Sequence, residues 1–115
     1  MRRLIKSFGY ALSGIAYTIK TQMNFQIHMA AIVLVALAGW YFQLSSGDWL
    51  WIILAIGLVL VTELLNTAIE QLVNLVSPEF NILAGRVKDI AAGAVLIAAI
   101  SSVAIAAIIF IPKLI

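Results

Sequence analysis

The sequence predicts an all-α integral membrane protein, with three transmembrane helices preceded by an amphipathic helix lying on the membrane surface. Three observations carry that reading. Of 115 residues, 64% are hydrophobic and only 10% charged, with a mean hydropathy of +1.14, whereas soluble domains average roughly half apolar and a quarter charged. Three apolar segments each approach the about 20 helical residues that a ~30 Å hydrocarbon core requires. The basic residues, finally, crowd to one side of those segments. The length allows one domain, residues 1–115. A chain this short buries few polar groups between its own helices, so an oligomer is expected on size alone.

Residues 1–25 carry Leu4, Ile5, Phe8, Leu12, Ile15, Ala16 and Ile19 at helical spacing, with Arg3, Lys6, Ser7, Ser13 and Lys20 around the rest of the wheel. Such a helix lies with its basic face near anionic headgroups. It does not read as a cleavable signal, because Ser7, Ser13, Lys20, Gln22 and Asn24 interrupt any apolar core. Residues 27–44 form the first crossing, with Trp40 and Tyr41 as interfacial anchors. A Ser45 to Asp48 turn then forces an antiparallel hairpin.

Residues 49–73 form the second crossing, apolar to Val61 and then acquiring Thr62, Glu63, Asn66, Thr67, Glu70 and Gln71. The stretch from Asn74 to Asp89 reads as a polar loop, in which Pro78 sits in the first turn of a restarting helix. Residues 90–111 are the third crossing, interrupted only by Ser101 and Ser102. Their alanine richness lets helices approach closely, which marks this as the expected interior helix of the bundle. Arg2, Arg3, Lys6, Lys20, Arg86 and Lys88 fall on one side and Lys113 on the other. The positive-inside rule then puts the amino terminus in the cytoplasm and the carboxyl terminus outside.

Several chemistries are excluded or weak. There is no cysteine, hence no disulfide or thiolate site, and a formal charge of +2 is too small to suggest nucleic acid. His28, without a neighbouring ligand set, reads as an interfacial hydrogen-bonding residue rather than a metal ligand. Trp40, Trp49 and Trp51 read as aromatic-belt residues. Ser101 and Ser102 can bond within their own helix or across to another, and nothing beside them suggests a nucleophile.

The chemistry gathers on the second crossing. Glu63, Asn66, Glu70 and Asn74 recur at i, i+3, i+7 and i+11, which at about 100° per residue places them near 0°, −60°, −20° and +20° on one stripe. Glu63 lies ~10 Å deeper than Glu70. A carboxylate at that depth costs about 2.5 kcal/mol or more to insert and so faces protein or water. A stripe of this kind can glue helices together by hydrogen bonds, but Asn, Thr or Gln would suffice for that. Lys88 and Asp89 open the third crossing at the same side. A lysine beside metal-binding carboxylates is what phosphate handling requires, although a snorkelling lysine and a helix-start acid explain those two residues alone.

The run Glu63-Leu64-Leu65-Asn66-Thr67-Ala68-Ile69-Glu70 resembles the E-x-x-N-[ST]-[SA]-x-E signature of the bacterial integral-membrane diacylglycerol kinases. Lys88 to Leu96 resembles that family's second motif, and Arg3 to Lys6, Gly9-Tyr10 and Asn24 to His28 match it as well. The segment Asn24 to His28 and the alanine-glycine motif are more similar to the Gram-positive branch, which includes undecaprenol kinases. The resemblance implies an ATP-dependent lipid kinase of the bacterial plasma membrane, a homotrimer with composite sites at the cytoplasmic interface. It further implies that Glu63 is the general base and Asn66 its polar neighbour. Glu70 would bind Mg2+, Lys88 and Asp89 would lie along the ATP phosphates, and Arg3, Tyr10, Glu79, Phe80 and Asn81 would contact the nucleotide. The acceptor is a membrane lipid, diacylglycerol or undecaprenol. A base at such depth suits the task, since loss of water favours the protonated form of a carboxyl and a lipid hydroxyl arrives at that level.

Two positions depart from the family pattern. Gln22 stands where a second metal-binding glutamate is usual, and Asn74 where an aspartate is usual. Each amide keeps an oxygen for a metal but loses the charge, which implies weakened metal and ATP binding. A non-catalytic trimer of the same family is the alternative. An ion-coupled transporter is a third reading, disfavoured because its acid belongs near the midplane, whereas every polar candidate here lies toward one side.

Overall fold

The computed structural model describes residues 1–115 as four helices: α1 (Arg2–Thr21), α2 (Met23–Tyr41), α3 (Ser46–Val76) and α4 (Ile82–Leu114). The last three are long and apolar enough to cross a membrane. A single residue, Gln22, separates α1 from α2, in an extended conformation (φ −108°, ψ 110°) that stops one helix and starts the next. The elbow is held by Gln26, whose Nε2 donates to the Ile19 carbonyl at 2.8 Å, and by Phe25, 2% exposed.

The helices outrun the apolar segments in the sequence. At ~1.5 Å per residue, the 31 residues of α3 and the 33 of α4 reach about 46 and 50 Å, well past a ~30 Å core. The excess stands mostly at the α3–α4 end. About 20 residues counted from Trp49 end near Ala68, so Glu70 and Asn74 lie beyond the hydrocarbon on an unbroken helix. The stretch from Asn74 to Asp89 is therefore mostly helical, and only Ser77 to Asn81 is not. Pro78 is in that connector rather than in a first helical turn. Asn81 caps α4 instead, its Oδ1 accepting from the Leu83 and Ala84 N–H groups at 2.8 and 3.2 Å. Lys88 and Asp89 consequently sit two turns inside α4.

The other connector also lies earlier than the sequence suggests, at Phe42 to Ser45. Leu44 N–H bonds the Gly39 carbonyl and Gln43 N–H that of Trp40. These two bonds satisfy the last carbonyls of α2 and force Gln43 into the left-handed region, φ 54°. Ser45 then caps α3, its Oγ accepting from Asp48 N–H at 3.1 Å. Trp49 is more than a belt residue. Its indole lies over Gly39, where an added Cβ would come within 2.6 Å of the ring.

Within the chain α3 is the interior helix, not α4: the buried share of the membrane-crossing stretch is 33% for α3, 11% for α2 and 6% for α4. Ile52, Ala55, Val59, Glu63 and Thr67 form its buried stripe, each three or four residues from the last as one helical face requires. Against it α4 sets Ala91, Ala98 and Ile109. Ser102 Oγ donates across to the Ala55 carbonyl at 3.1 Å, which fixes the helices' register at mid-span. Leu44, Ile52 and Ile109 form the only cluster of buried apolar side chains. The chain measures 52 × 42 × 20 Å, little more than one layer of helices, and 12 of its 115 residues are buried. Its apolar faces are satisfied by lipid or by other chains.

Candidate functional site

Glu63 is the centre. It belongs to the buried stripe of α3 and is 2% exposed. Its carboxylate Oε1 lies 3.1 Å from Nε2 of His28 on α2. One turn along α3, Asn66 Nδ2 donates to Glu70 Oε1 at 3.1 Å. Asn66 Oδ1 is buried without a partner, an acceptor whose desolvation costs about 1–3 kcal/mol until something donates to it. A further turn on, Asn74 Oδ1 accepts from Lys88 Nζ of α4 at 2.7 Å. Three polar pairs thus run up one face of α3 over ~16 Å. Exposure rises along them, from buried Glu63 through half-buried Asn66 and Glu70 to exposed Asn74. The stripe arithmetic anticipates this order, and the antiparallel α3–α4 hairpin adds Lys88.

The remaining sequence-derived candidates are less gathered. Tyr10 lines a crevice between α1 and α3 with Thr18, Thr67 and Gln71, which brings α1 to the Glu70 end. Arg3, Glu79, Phe80 and Asp89 are exposed, and none has a side-chain partner within the protomer. Asn81 Oδ1 is engaged as the α4 cap. Gln22 is half-buried at the α1–α2 elbow, its Nε2 donating to Thr21 Oγ1 at 3.3 Å.

No group of three or more His, Asp or Glu side chains stands close enough to hold a metal. Magnesium, however, is commonly held by one or two carboxylates and completes its octahedron with phosphate and water oxygens. Glu70 fits that role: one of its oxygens is oriented by Asn66 and the other is unpartnered.

His28 is the residue that sequence reasoning undervalued. It is the only histidine in the chain and the sole ionisable side chain in the body of α2, a signal in itself, since ionisable residues inside spans are expensive. What the spacing cannot supply is the crossing of α2 over α3 that joins positions 28 and 63. His28 also lines an apolar groove of about 170 Å³ between α2, α3 and α4, with Ile32, Val59 and Ser102 among its walls.

Comparison with known proteins gives concordant results. Residues 9–110 match the family model described as prokaryotic diacylglycerol kinase. The chain is 45% identical over 114 residues to an undecaprenol kinase of Bacillus subtilis, covering 99% of this chain and 93% of that one. It is 41% identical over 113 residues to a diacylglycerol kinase of Synechocystis, covering 97% of this chain and 65% of that one. With a diacylglycerol kinase of Escherichia coli it shares 31% identity over 95 residues, 83% of this chain and 78% of the other.

Proposed function

The chain belongs to the prokaryotic diacylglycerol kinase family, and from that premise we propose that it transfers the γ-phosphoryl group of ATP to the hydroxyl of a membrane lipid, diacylglycerol or undecaprenol. The observation that carries the reading is the graded stripe on α3. A buried carboxylate, Glu63, stands about three turns along α3 from the Asn74–Lys88 pair, a separation that supports a base reaching a lipid hydroxyl below a cation that reaches phosphate.

In this reading Glu63 takes the hydroxyl proton, and a base so placed contributes about 10²–10⁴-fold. Asn66 Oδ1 receives a donor from the bound substrates or an ordered water, and its amide keeps Glu70 oriented. Lys88 neutralises phosphate charge. Glu70 is the residue that would hold magnesium, with Gln22 as a weaker contributor. When bound, the ion offsets charge on the phosphates. In the same reading Arg3, Tyr10, Glu79 and Phe80 contact the nucleotide, and Asp89 lies with Lys88 along its phosphates. The capping role of Asn81 engages its Oδ1 and leaves both N–H donors of its carboxamide free for the nucleotide.

Six basic residues on the α1 and α3–α4 side against Lys113 on the other support a cytoplasmic site and an external carboxyl terminus in the bacterial plasma membrane. α1, with nearly all of its residues exposed, lies on the inner leaflet. The single layer of helices leaves α4 to be covered by other copies, and the family resemblance makes that assembly a homotrimer, which would bring nucleotide contacts from neighbouring chains. A structural trimer without catalysis is the second reading, favoured by the two amides Gln22 and Asn74.

Labelled ATP with each lipid in mixed micelles tests the proposal. Phosphate appearing on diacylglycerol or undecaprenol, and vanishing in Glu63→Gln, is the expected result. No transfer to either lipid at any magnesium concentration would leave the structural reading standing.

A further inference from the structure

We propose that His28 is a positioning residue for Glu63: its imidazole holds one carboxylate oxygen, so that the other is presented to the hydroxyl that surrenders its proton. The inference rests on the kinase reading and adds to it a residue that the signature motif does not contain. The carboxylate of Glu63 has one polar side-chain partner in the protomer, His28 Nε2 at 3.1 Å. The alternatives on α3 are already committed. The Thr67 hydroxyl donates to the backbone carbonyl of Glu63 at 3.0 Å, and the Asn66 amide donates to Glu70. A glutamate has three side-chain torsions to fix, and a 1 Å misplacement of a reacting group can cost about 10²-fold.

His28 is itself well placed to do the fixing. It lies one turn beyond Phe25, which is 2% exposed, and close to the elbow pinned by the Gln26 bond to Ile19. Its side chain is 25% exposed against 3% for that of Glu63, so the pair runs from the lipid-facing groove inward. The residue type also fits. An imidazole is a compact, two-torsion side chain whose ring nitrogen reaches the carboxylate from α2, without the long flexible stem of lysine or arginine.

The acceptor's O–H bond breaks and its proton passes to the free oxygen of Glu63. The acceptor oxygen bonds the γ-phosphorus, the bond from that phosphorus to the bridging oxygen breaks, and ADP leaves. Glu63 then returns its proton to water, while the His28 bond keeps the same oxygen engaged throughout.

Two variants and one spectroscopic measurement test this on the full-length protein. His28→Leu keeps apolar volume and removes the donor, and should lower kcat by about 10²-fold while the KM values for ATP and lipid stay within a factor of about two. His28→Gln restores a donor and should recover at least about a tenth of wild-type kcat. Because the chain has one histidine, ¹⁵N-histidine labelling gives a single imidazole, and Glu63→Ala should displace its Nε2 resonance. An active wild type with an equally active His28→Leu, a His28→Gln no better than His28→Leu, or an unmoved resonance each overturns the proposal. A wild type that transfers no phosphate overturns the kinase reading instead, and the resonance then still reports whether the pair exists.

Discussion

Lys88 Nζ lies 2.7 Å from Asn74 Oδ1, a bond that clamps the second turn of α4 to the last turn of α3. Because the acceptor is an amide, the bond orients the lysine without cancelling its charge. An amide carries no charge with which to draw a metal, at Asn74 as at Gln22. Restoring both acids, Gln22→Glu with Asn74→Asp, should therefore lower the magnesium concentration that gives half-maximal phosphorylation. An unchanged magnesium titration would remove both positions from the metal's surroundings.

Gly39 has no room for a side chain, since Trp49 and Leu44 occupy the space a Cβ would enter. Gly39→Leu should splay the α2–α3 elbow and cost about 1–3 kcal/mol, read as a lower melting temperature in detergent. Combining it with Trp49→Ala should return part of that loss. Additive losses would mean that the ring is not the obstacle.

Ser102 and Ser101 are neighbours with different fates. Only Ser102 bonds across the helix interface, to the Ala55 carbonyl. Ser102→Ala should destabilise by about 0.6 kcal/mol, the average for such bonds in membranes, and Ser101→Ala by much less. Equal effects in chemical denaturation would contradict the register described for α3 and α4.

Asn81 separates a structural role from a binding one. As an N-cap its loss in Asn81→Ala should cost about 1 kcal/mol, whereas Asn81→Asp should keep the cap. Both variants lose the Nδ2 donor, so the KM for ATP should rise in both, and further in the aspartate variant, whose charge opposes phosphate, while stability falls only in Asn81→Ala. A KM unchanged from wild type in both variants would confine Asn81 to capping.

The parts of this molecule legible in the sequence are those set by local periodicity. Apolar runs close to the length of a hydrocarbon crossing give the spans, and the spacing of Glu63, Asn66 and Glu70 gives their shared face, because one follows from the helical rise and the other from 3.6 residues per turn. Contacts between helices are another matter. The pairing of His28 with Glu63 and the seating of Trp49 on Gly39 depend on how α2 crosses α3, which no single helix encodes. Pro78 misleads because proline suits both a first turn and a connector. Asn81, followed by an apolar run, carries the better start signal. The alanines of α4 permit close approach without saying to what, and within one chain α3, not α4, is enclosed.

Glu63 and the far end of α3 are joined by unbroken helix, so their separation is fixed at ~1.5 Å per residue. The bilayer around them has no such fixed measure. Acyl length and composition change its thickness, at a cost of only fractions of a kcal/mol per ångström of mismatch. The protein is therefore a ruler of constant length set into a medium of variable depth, and the level at which Glu63 stands relative to the headgroups is a property of the host membrane as much as of the chain.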